Sequence, residues 1–539
     1  MMKFRSLFSA LTLILWAGSS TAQTDNHKHN DHYVFYESPE YEPEWMQPSV
    51  HPDRIVLNYG ADPTTTASVT WRTSTEVDTA YAEIAKATAA PKFWRTSQRF
   101  LAKTTLLDGK LAQDAGIMSH FHSVTFKGLE PNTLYGYRSG DGEHWSEWIQ
   151  FRTASETNDK FSFLYVGDAQ NYILELWSRL IRQGFKLAPD ARFIIHAGDL
   201  VGDAHREEHW EEWFKAGSFI HGMIPSFPTP GNHEYDYLYD NQDNKQKQLS
   251  IQWSHQFTLP ENGPKGIDEL KETTYYMDYQ GVRMISLNSN VHLEEQAKWL
   301  REVLANNPNK WTIVTLHHPL YQISEGRANS KRREVFKPIF DEFHVDLALQ
   351  GHDHAYARGR ATDEHNLVSG TNKLDQTGTM YVVSVSGGKM YRLTPEGWDQ
   401  WGAKQDRNAE NTQLVQVITV DQDTLRYQSF TATGELYDAF DLVKNKKWPN
   451  TLINRKSECI PTRHFNNTIA YHEKLPLDIK NVVLEKYKGF KIDFNKVKKG
   501  FDSKIGIYYD LDLENDVTDV EMEIKIDEAG NIFEEEIDD

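Results

Sequence analysis

Five short polar clusters in this chain carry side chains able to ligate metal ions, and each closes an apolar run. They are Asp168 in FLYVGD, Asp199 in FIIHAGD, Asn232 and His233 in GNHE, His317 in IVTLHHP, and His352 and His354 in LALQGHDH. Carboxylate, amide and imidazole together suit a pair of hard-to-borderline divalent or trivalent ions, with one carboxylate bridging the two. Taken alone, each residue has a plainer use. An Asp after a strand commonly caps a helix, and a buried His is commonly a hydrogen-bonded core residue. The ordered set is what points to a shared metal centre.

The elements that must position these groups are legible around them. Phe161–Val166, Phe193–Ile195, Thr312–Leu316 and Val345–Leu349 have the length and apolar content of buried strands. Between them, YILELWSRLIRQGF and EEQAKWLREVLANN place apolar residues at helical spacing. Alternating helix and strand predicts a layered α/β fold, and such folds present their chemistry at the carboxyl ends of strands.

The series GD, GD, GNHE, HHP and GHDH, over roughly residues 161–442, resembles the calcineurin-like metallophosphoesterases, and among them the bacterial relatives of purple acid phosphatases. The resemblance implies a two-sheet αββα sandwich over residues 160–443. It implies two metal ions, of iron, zinc or manganese. Asp168 and His354 would bind the first ion, Asp199 would bridge both, and Asn232, His317 and His352 would bind the second. His233 falls on the family's non-ligand catalytic histidine, placed to stabilise or protonate the leaving oxygen. The implied reaction is attack of metal-activated water on a phosphoester, a phosphomonoester first of all, with a small phosphoester as the binding partner. A phosphodiesterase or nucleotide hydrolase on the same metals is the alternative enzyme. A non-catalytic phosphate-binding or adhesion protein is the third class.

Two positions depart from the family pattern. Purple acid phosphatases carry a tyrosine three positions after the bridging aspartate, where this chain has Gly202. The departure implies a protein that is not purple. Many metallophosphoesterases place a histidine two residues after the first aspartate, where this chain has Gln170. Gln170 either supplies an amide oxygen to the first metal or caps the segment that follows. His318 reads as a hydrogen-bonding neighbour of the centre, and Asp203 as a cap or solvent-facing carboxylate. Arg358 reads equally as a partner for a loop carboxylate or as a phosphate contact.

With 539 residues the chain exceeds one hydrophobic core, so several domains are expected. MMKFR, the apolar run LFSALTLILWAG and the small residues Ser20 and Ala22 predict a secretory signal over residues 1–22, hence a secreted or periplasmic enzyme without an integral membrane segment after cleavage. A formal net charge of −20 argues against a nucleic-acid surface. The lone Cys459 excludes an intramolecular disulfide, and oligomeric state is not readable. Residues 51–155 alternate apolar and polar side chains between turn signals, and LEPNTLYGYRS resembles the fibronectin type III-like domain of purple acid phosphatases. Residues 473–539 predict a helix followed by alternating strands, a small α+β appendage resembling PepSY domains.

Overall fold

In the computed structural model the described residues are 46–538, apart from 112–115, 237–246, 325–329, 362–374, 392, 395–396, 462–474, 493–496, 503–504 and 516–519. The expected signal segment lies outside them.

Residues 53–152 form two four-stranded antiparallel sheets. One contains Asp53–Tyr59, Thr66–Thr73, Lys103–Leu107 and Ser119–Lys127; the other contains Tyr81–Lys86, Gln98–Leu101, Leu134–Gly140 and Ile149–Arg152. Their inner faces enclose a core that includes Trp71, Phe126 and Tyr137. Trp145 and Trp148 flank the Arg138 guanidinium at 4.2 and 4.9 Å, so these tryptophans brace the sandwich surface.

Two larger mixed sheets follow. The eight-stranded sheet includes the parallel trio Ser226–Pro228, Ile194–His196 and Phe161–Val166. The seven-stranded sheet includes the parallel set Val282–Leu287, Trp311–Leu316, Leu347–Gln350 and Met380–Val383. One apolar cluster joins their facing sides, with Phe163 and Ile195 from the first and Met284, Ile313 and Leu349 from the second. The outer face of the seven-stranded sheet packs on the helices Leu293–Ala305 and Ser330–Glu342 through Leu300, Phe336 and Ile339. The helices Ser178–Leu187 and Glu207–Gly217 contribute Leu180, Ile181, Trp210 and Trp213 to the cluster on the other side. The layers are thus helix, sheet, sheet, helix.

The segment expected as one helix from Tyr172 begins instead with a π-helical turn, Ile173–Trp177, before the α-helix Ser178–Leu187. Trp210 and Trp213 are fully buried, so packing is their use and neither walls a substrate pocket. Arg332 and Arg333 donate to the carbonyls of Ser289 and Leu320 at 2.8 and 3.0 Å.

A separate apolar cluster serves the C-terminal unit. There the helix Leu477–Lys486 supplies Ile479 and Val483, and the strands Gly506–Asn515 and Val520–Asp527 supply Leu511, Leu513, Ile524 and Ile526.

Candidate metal centre

Every ligating residue expected from the sequence lies in a loop leaving the carboxyl end of a parallel strand or in the GHDH turn. Asp168 follows Phe161–Val166, Asp199 follows Ile194–His196, Asn232 follows Ser226–Pro228, and His317 follows Trp311–Leu316. His352 and His354 follow Leu347–Gln350. Strands that run parallel end on the same side, so two sheets lying face to face deliver these loops to one place. Asp168, Asp199, His352 and His354 all have positive φ, a strained backbone conformation of the kind that collects at functional sites. Gly231 is required where it stands, because a Cβ there would lie 2.1 Å from Asp199 Oδ1.

Two groups of donor atoms result, Asp168 with Asp199 and His354, and Asp199 with His317 and His352, each drawn within 4.8 Å. They share Asp199. His317 donates from Nδ1 to the Ala197 carbonyl at 2.9 Å, which turns Nε2 toward Asn232 Oδ1, Asp199 Oδ2 and His352 Nδ1, each 3.1 Å away. Such a convergence of lone-pair atoms is stable only around a proton or a cation. His354 is fixed in the same way, with Nδ1 on the Lys389 carbonyl at 2.9 Å and Nε2 3.8 Å from Asp168 Oδ1. An imidazole whose outer nitrogen is held by a carbonyl is the usual arrangement for a metal ligand.

The electrostatics follow from this crowding. Burial opposes charge on Asp199, but His317 and His233 outweigh it and hold the carboxyl well below its ordinary range. Burial likewise opposes the His317 proton, and Asp199 and Asp168 outweigh it, raising that imidazole.

Gln170 lies at the centre, fully buried. Its Nε2 donates to Asp199 Oδ2 at 2.8 Å and stands 3.4 Å from His354 Nε2, while Oε1 is buried without a hydrogen-bond partner. A half-turn of the amide exchanges the two atoms and would present the oxygen to the first group. His233 is part-buried; its Nδ1 donates to the Gly202 carbonyl at 2.6 Å, and its backbone N donates to Asp199 Oδ1 at 2.9 Å. The ring is thereby held beside the Asp199 carboxylate with Nε2 uncommitted to the main chain. Gly202, at the position of the family's tyrosine, places no side chain at the centre.

The neighbouring residues fall into supporting roles. His318 pairs with the Ser289 hydroxyl at 2.9 Å through Nδ1, with its ring 4.4 Å from that of His352. Asp203 accepts from the His205 backbone at 3.0 Å, ahead of the helix Glu207–Gly217. Arg358 is buried in a bidentate pair with Asp438 at 2.9 and 2.8 Å and lies 3.2 Å from Asp406, a structural ion pair.

Glu234 was not expected to matter. Its buried carboxylate accepts from the backbone N–H groups of Gly231, Asp199 and Leu200 at 2.6, 2.8 and 2.8 Å, tying the loop of Asp199 to that of Asn232. Burial and the adjacent Asp199 charge push its carboxyl up to about 7. The only sequence signal for it is the last letter of GNHE. Asn290 adds a second tie, donating to the carbonyls of Pro230 and Gly231 at 3.2 and 3.1 Å.

Comparison with known proteins agrees with this geometry. Residues 161–356 match the family model for calcineurin-like phosphoesterases, and residues 52–153 match that for the purple acid phosphatase N-terminal domain. Residues 161–356 are therefore a calcineurin-like metallophosphoesterase domain, and the chain is a hydrolase of phosphoric esters. Its homologues are purple acid phosphatases. Acid phosphatase type 7 of Danio rerio is 25% identical over 375 residues, covering 61% of this chain and 79% of that protein. Purple acid phosphatase 1 of Ipomoea batatas is 24% identical over 294 residues, covering 51% and 60%. Among solved structures, the purple acid phosphatase PPD1 from yellow lupin seeds superimposes with a TM-score of 0.61 at 17% identity, covering 77% of this chain and 78% of that one. PhoD superimposes with a TM-score of 0.54 at 13% identity.

Proposed function

We propose that the protein is an exported, dinuclear metal-dependent phosphomonoesterase of the acid phosphatase type. The observation that carries the reading is the pair of donor groups sharing the buried Asp199. Asp168, Gln170, Asp199 and His354 would hold one ion, and Asp199, Asn232, His317 and His352 the other. The donor chemistry fits, since oxygen and imidazole ligands suit iron, zinc and manganese alike. When bound, two such ions neutralise phosphoryl oxygens and supply a nucleophilic water at neutral pH.

The chain's own groups supply orientation and the proton. The backbone carbonyls of Ala197 and Lys389 hold His317 and His354 in the tautomer that keeps Nε2 available. Glu234 fixes the separation of the Asp199 and Asn232 loops. His233, its Nδ1–H committed to Gly202, presents Nε2 to the leaving oxygen and donates a proton there as the P–O bond breaks. A monoester is favoured because its phosphoryl group carries the greater charge for two cations to neutralise, and a diester needs room for a second substituent. Export rests on the leader, residues 1–22, and on no structural feature. No helix among the described residues is long and apolar enough to cross a membrane.

The leaving-group dependence of His233→Ala tests this division of labour. Hydrolysis of esters with poor alkoxide leaving groups should fall by about 10²–10⁴, and that of activated aryl esters far less, at matched metal content. A uniform loss across leaving groups would assign His233 to phosphate positioning instead.

A further inference from the structure

The residues of the metal centre are not equally shut away. Asp168, Gln170, Asp199, His317 and His354 are buried, whereas Asn232, His233 and His352 are part-exposed, so the open side of the centre is theirs. Gly202 stands on that side. Its carbonyl accepts from His233 Nδ1 at 2.6 Å, and the His233 backbone N–H reaches Asp199 Oδ1 at 2.9 Å. The neighbouring glycines are there because no side chain fits, since a Cβ would lie 2.1 Å from Asp199 Oδ1 at Gly231 and 2.5 Å from Asp168 Oδ2 at Gly351. Gly202 differs from them. Its φ is not left-handed, and a Cβ there would meet its nearest neighbours, Asn171 Nδ2 and His209 Cε1, at 3.4 Å, close to ordinary van der Waals contact. Neither backbone conformation nor packing demands glycine at this position, so it leaves a space that a side chain would fill.

The two groups flanking that space have hydrogen-bonding capacity to spare. His209, part-buried in the first turn of the helix Glu207–Gly217, accepts at Nδ1 from the Asp203 backbone N–H at 3.0 Å. The proton of the neutral ring therefore sits on Nε2, which has no acceptor among the described residues. Burial, reinforced by the Arg206 and His233 charges, takes this imidazole down to about 4, so it is a neutral donor at mildly acid and neutral pH. Bracing the start of the helix accounts for Nδ1 and leaves the Nε2–H over. Asn171 has its main-chain carbonyl fixed by Gly388 N at 3.0 Å, while its side chain is exposed and makes no hydrogen bond to the described residues. Both groups are uncharged, and they match hydroxyls rather than a second anionic group.

Resting on the phosphomonoesterase reading above, we infer that the space at Gly202 is a specificity subsite, in which the His209 Nε2–H and the Asn171 side-chain amide hydrogen-bond hydroxyl groups on the alcohol portion of the substrate. The substrates so favoured are monoesters of polyhydroxylated alcohols, polyols or sugars. An alkyl or aryl ester without hydroxyls leaves both groups to water.

The test compares kcat/KM for glycerol 1-phosphate and propyl phosphate, which share a carbon chain length and differ in hydroxyl groups, on protein of matched metal content. Any intrinsic difference between the two leaving groups is common to every variant and cancels in the ratio. His209→Asn keeps an acceptor for the Asp203 N–H and removes the Nε2–H, and Asn171→Ala removes the amide. Each should lower kcat/KM for glycerol 1-phosphate about three- to tenfold more than for propyl phosphate, the scale of one hydrogen bond. Gly202→Val closes the space and should lower kcat/KM for both of these esters by more than for methyl phosphate. Equal effects of His209→Asn and Asn171→Ala on the glycerol and propyl esters, or an effect of Gly202→Val that methyl phosphate shares in full, overturn the inference and leave the hydrolase reading standing. A metal-loaded protein that hydrolyses none of the three esters overturns both.

Discussion

Asp199 is the residue on which both donor groups depend, and its environment explains why the fold surrounds it so completely. Its backbone N–H is held by Glu234, one carboxylate oxygen accepts from the His233 main chain, and the other faces His317 and Gln170. Asp199→Asn keeps the shape and removes the charge that the two ions would share. It should cost metal from both positions and lower turnover by orders of magnitude more than Gln170→Ala, whose neutral amide touches one group. Metal content and kcat measured on the same samples decide this, and equal activity losses at unchanged occupancy would contradict the roles given to both residues. At this scale the sequence was informative, since the two aspartates, the asparagine and the three histidines singled out from its motifs stand together in the structure. Glu234 and Asn290 escaped notice for one physical reason. Their partners are main-chain groups, mostly of other loops, and no local periodicity records such contacts.

Between elements, the junction of the N-terminal sandwich with the catalytic sheets is made by charge as well as by packing. Arg72, on the strand Thr66–Thr73, is fully buried and pairs with Glu207, at the start of the helix Glu207–Gly217, at 2.7 Å; Arg54 reaches the same carboxylate at 2.8 Å. The side chains of Arg72 and Glu207 are 0% and 8% exposed. Removing one member of such a pair leaves the others buried without full compensation, so Arg72→Ala should destabilise the protein by about 3–5 kcal/mol. Chemical unfolding followed by tryptophan fluorescence measures it, and a loss below about 1 kcal/mol would mean that water reaches the junction. The alternation of strand residues announced the sandwich, but nothing in it announced this junction, because the helix of Glu207 looks like an ordinary amphipathic one until Arg72 is placed against it. Trp210 and Trp213, which follow the loop of Asp199 in sequence, have their side chains in the core, the commoner use of aromatics beneath such loops. The π-helical turn Ile173–Trp177 was unreadable for a related reason, as its residues keep helical spacing.

For the whole molecule, the distribution of cores says which parts the chemistry needs. The cluster formed by Leu475, Ile479, Leu511 and Ile524 is distinct from the cluster between the catalytic sheets, and every proposed ligand precedes it in the chain. A protein ending before residue 473 should therefore keep its metal content and its kcat within about twofold, with secondary-structure content checked by circular dichroism. Retained metal with lost turnover would show that the C-terminal unit reaches the active site. The layered αββα order was legible from alternating helices and strands together with the motif series; the pairing of the late strands Leu414–Asp421 and Leu436–Val443 into the sheet of Asp168 depends on contacts across hundreds of residues and was not.

The central claim is that two ions sharing Asp199 make this chain a phosphomonoesterase, and one measurement reaches it most directly. Purified protein is stripped with a chelator, titrated with iron, zinc or manganese, and assayed at each step for hydrolysis of a phosphomonoester and of the corresponding diester. The expected result is no turnover in the stripped protein, turnover that rises to a plateau at two ions per chain, and monoester hydrolysis well above diester hydrolysis at that plateau. A plateau at one ion per chain, activity that survives complete stripping, or a preference for the diester would contradict it.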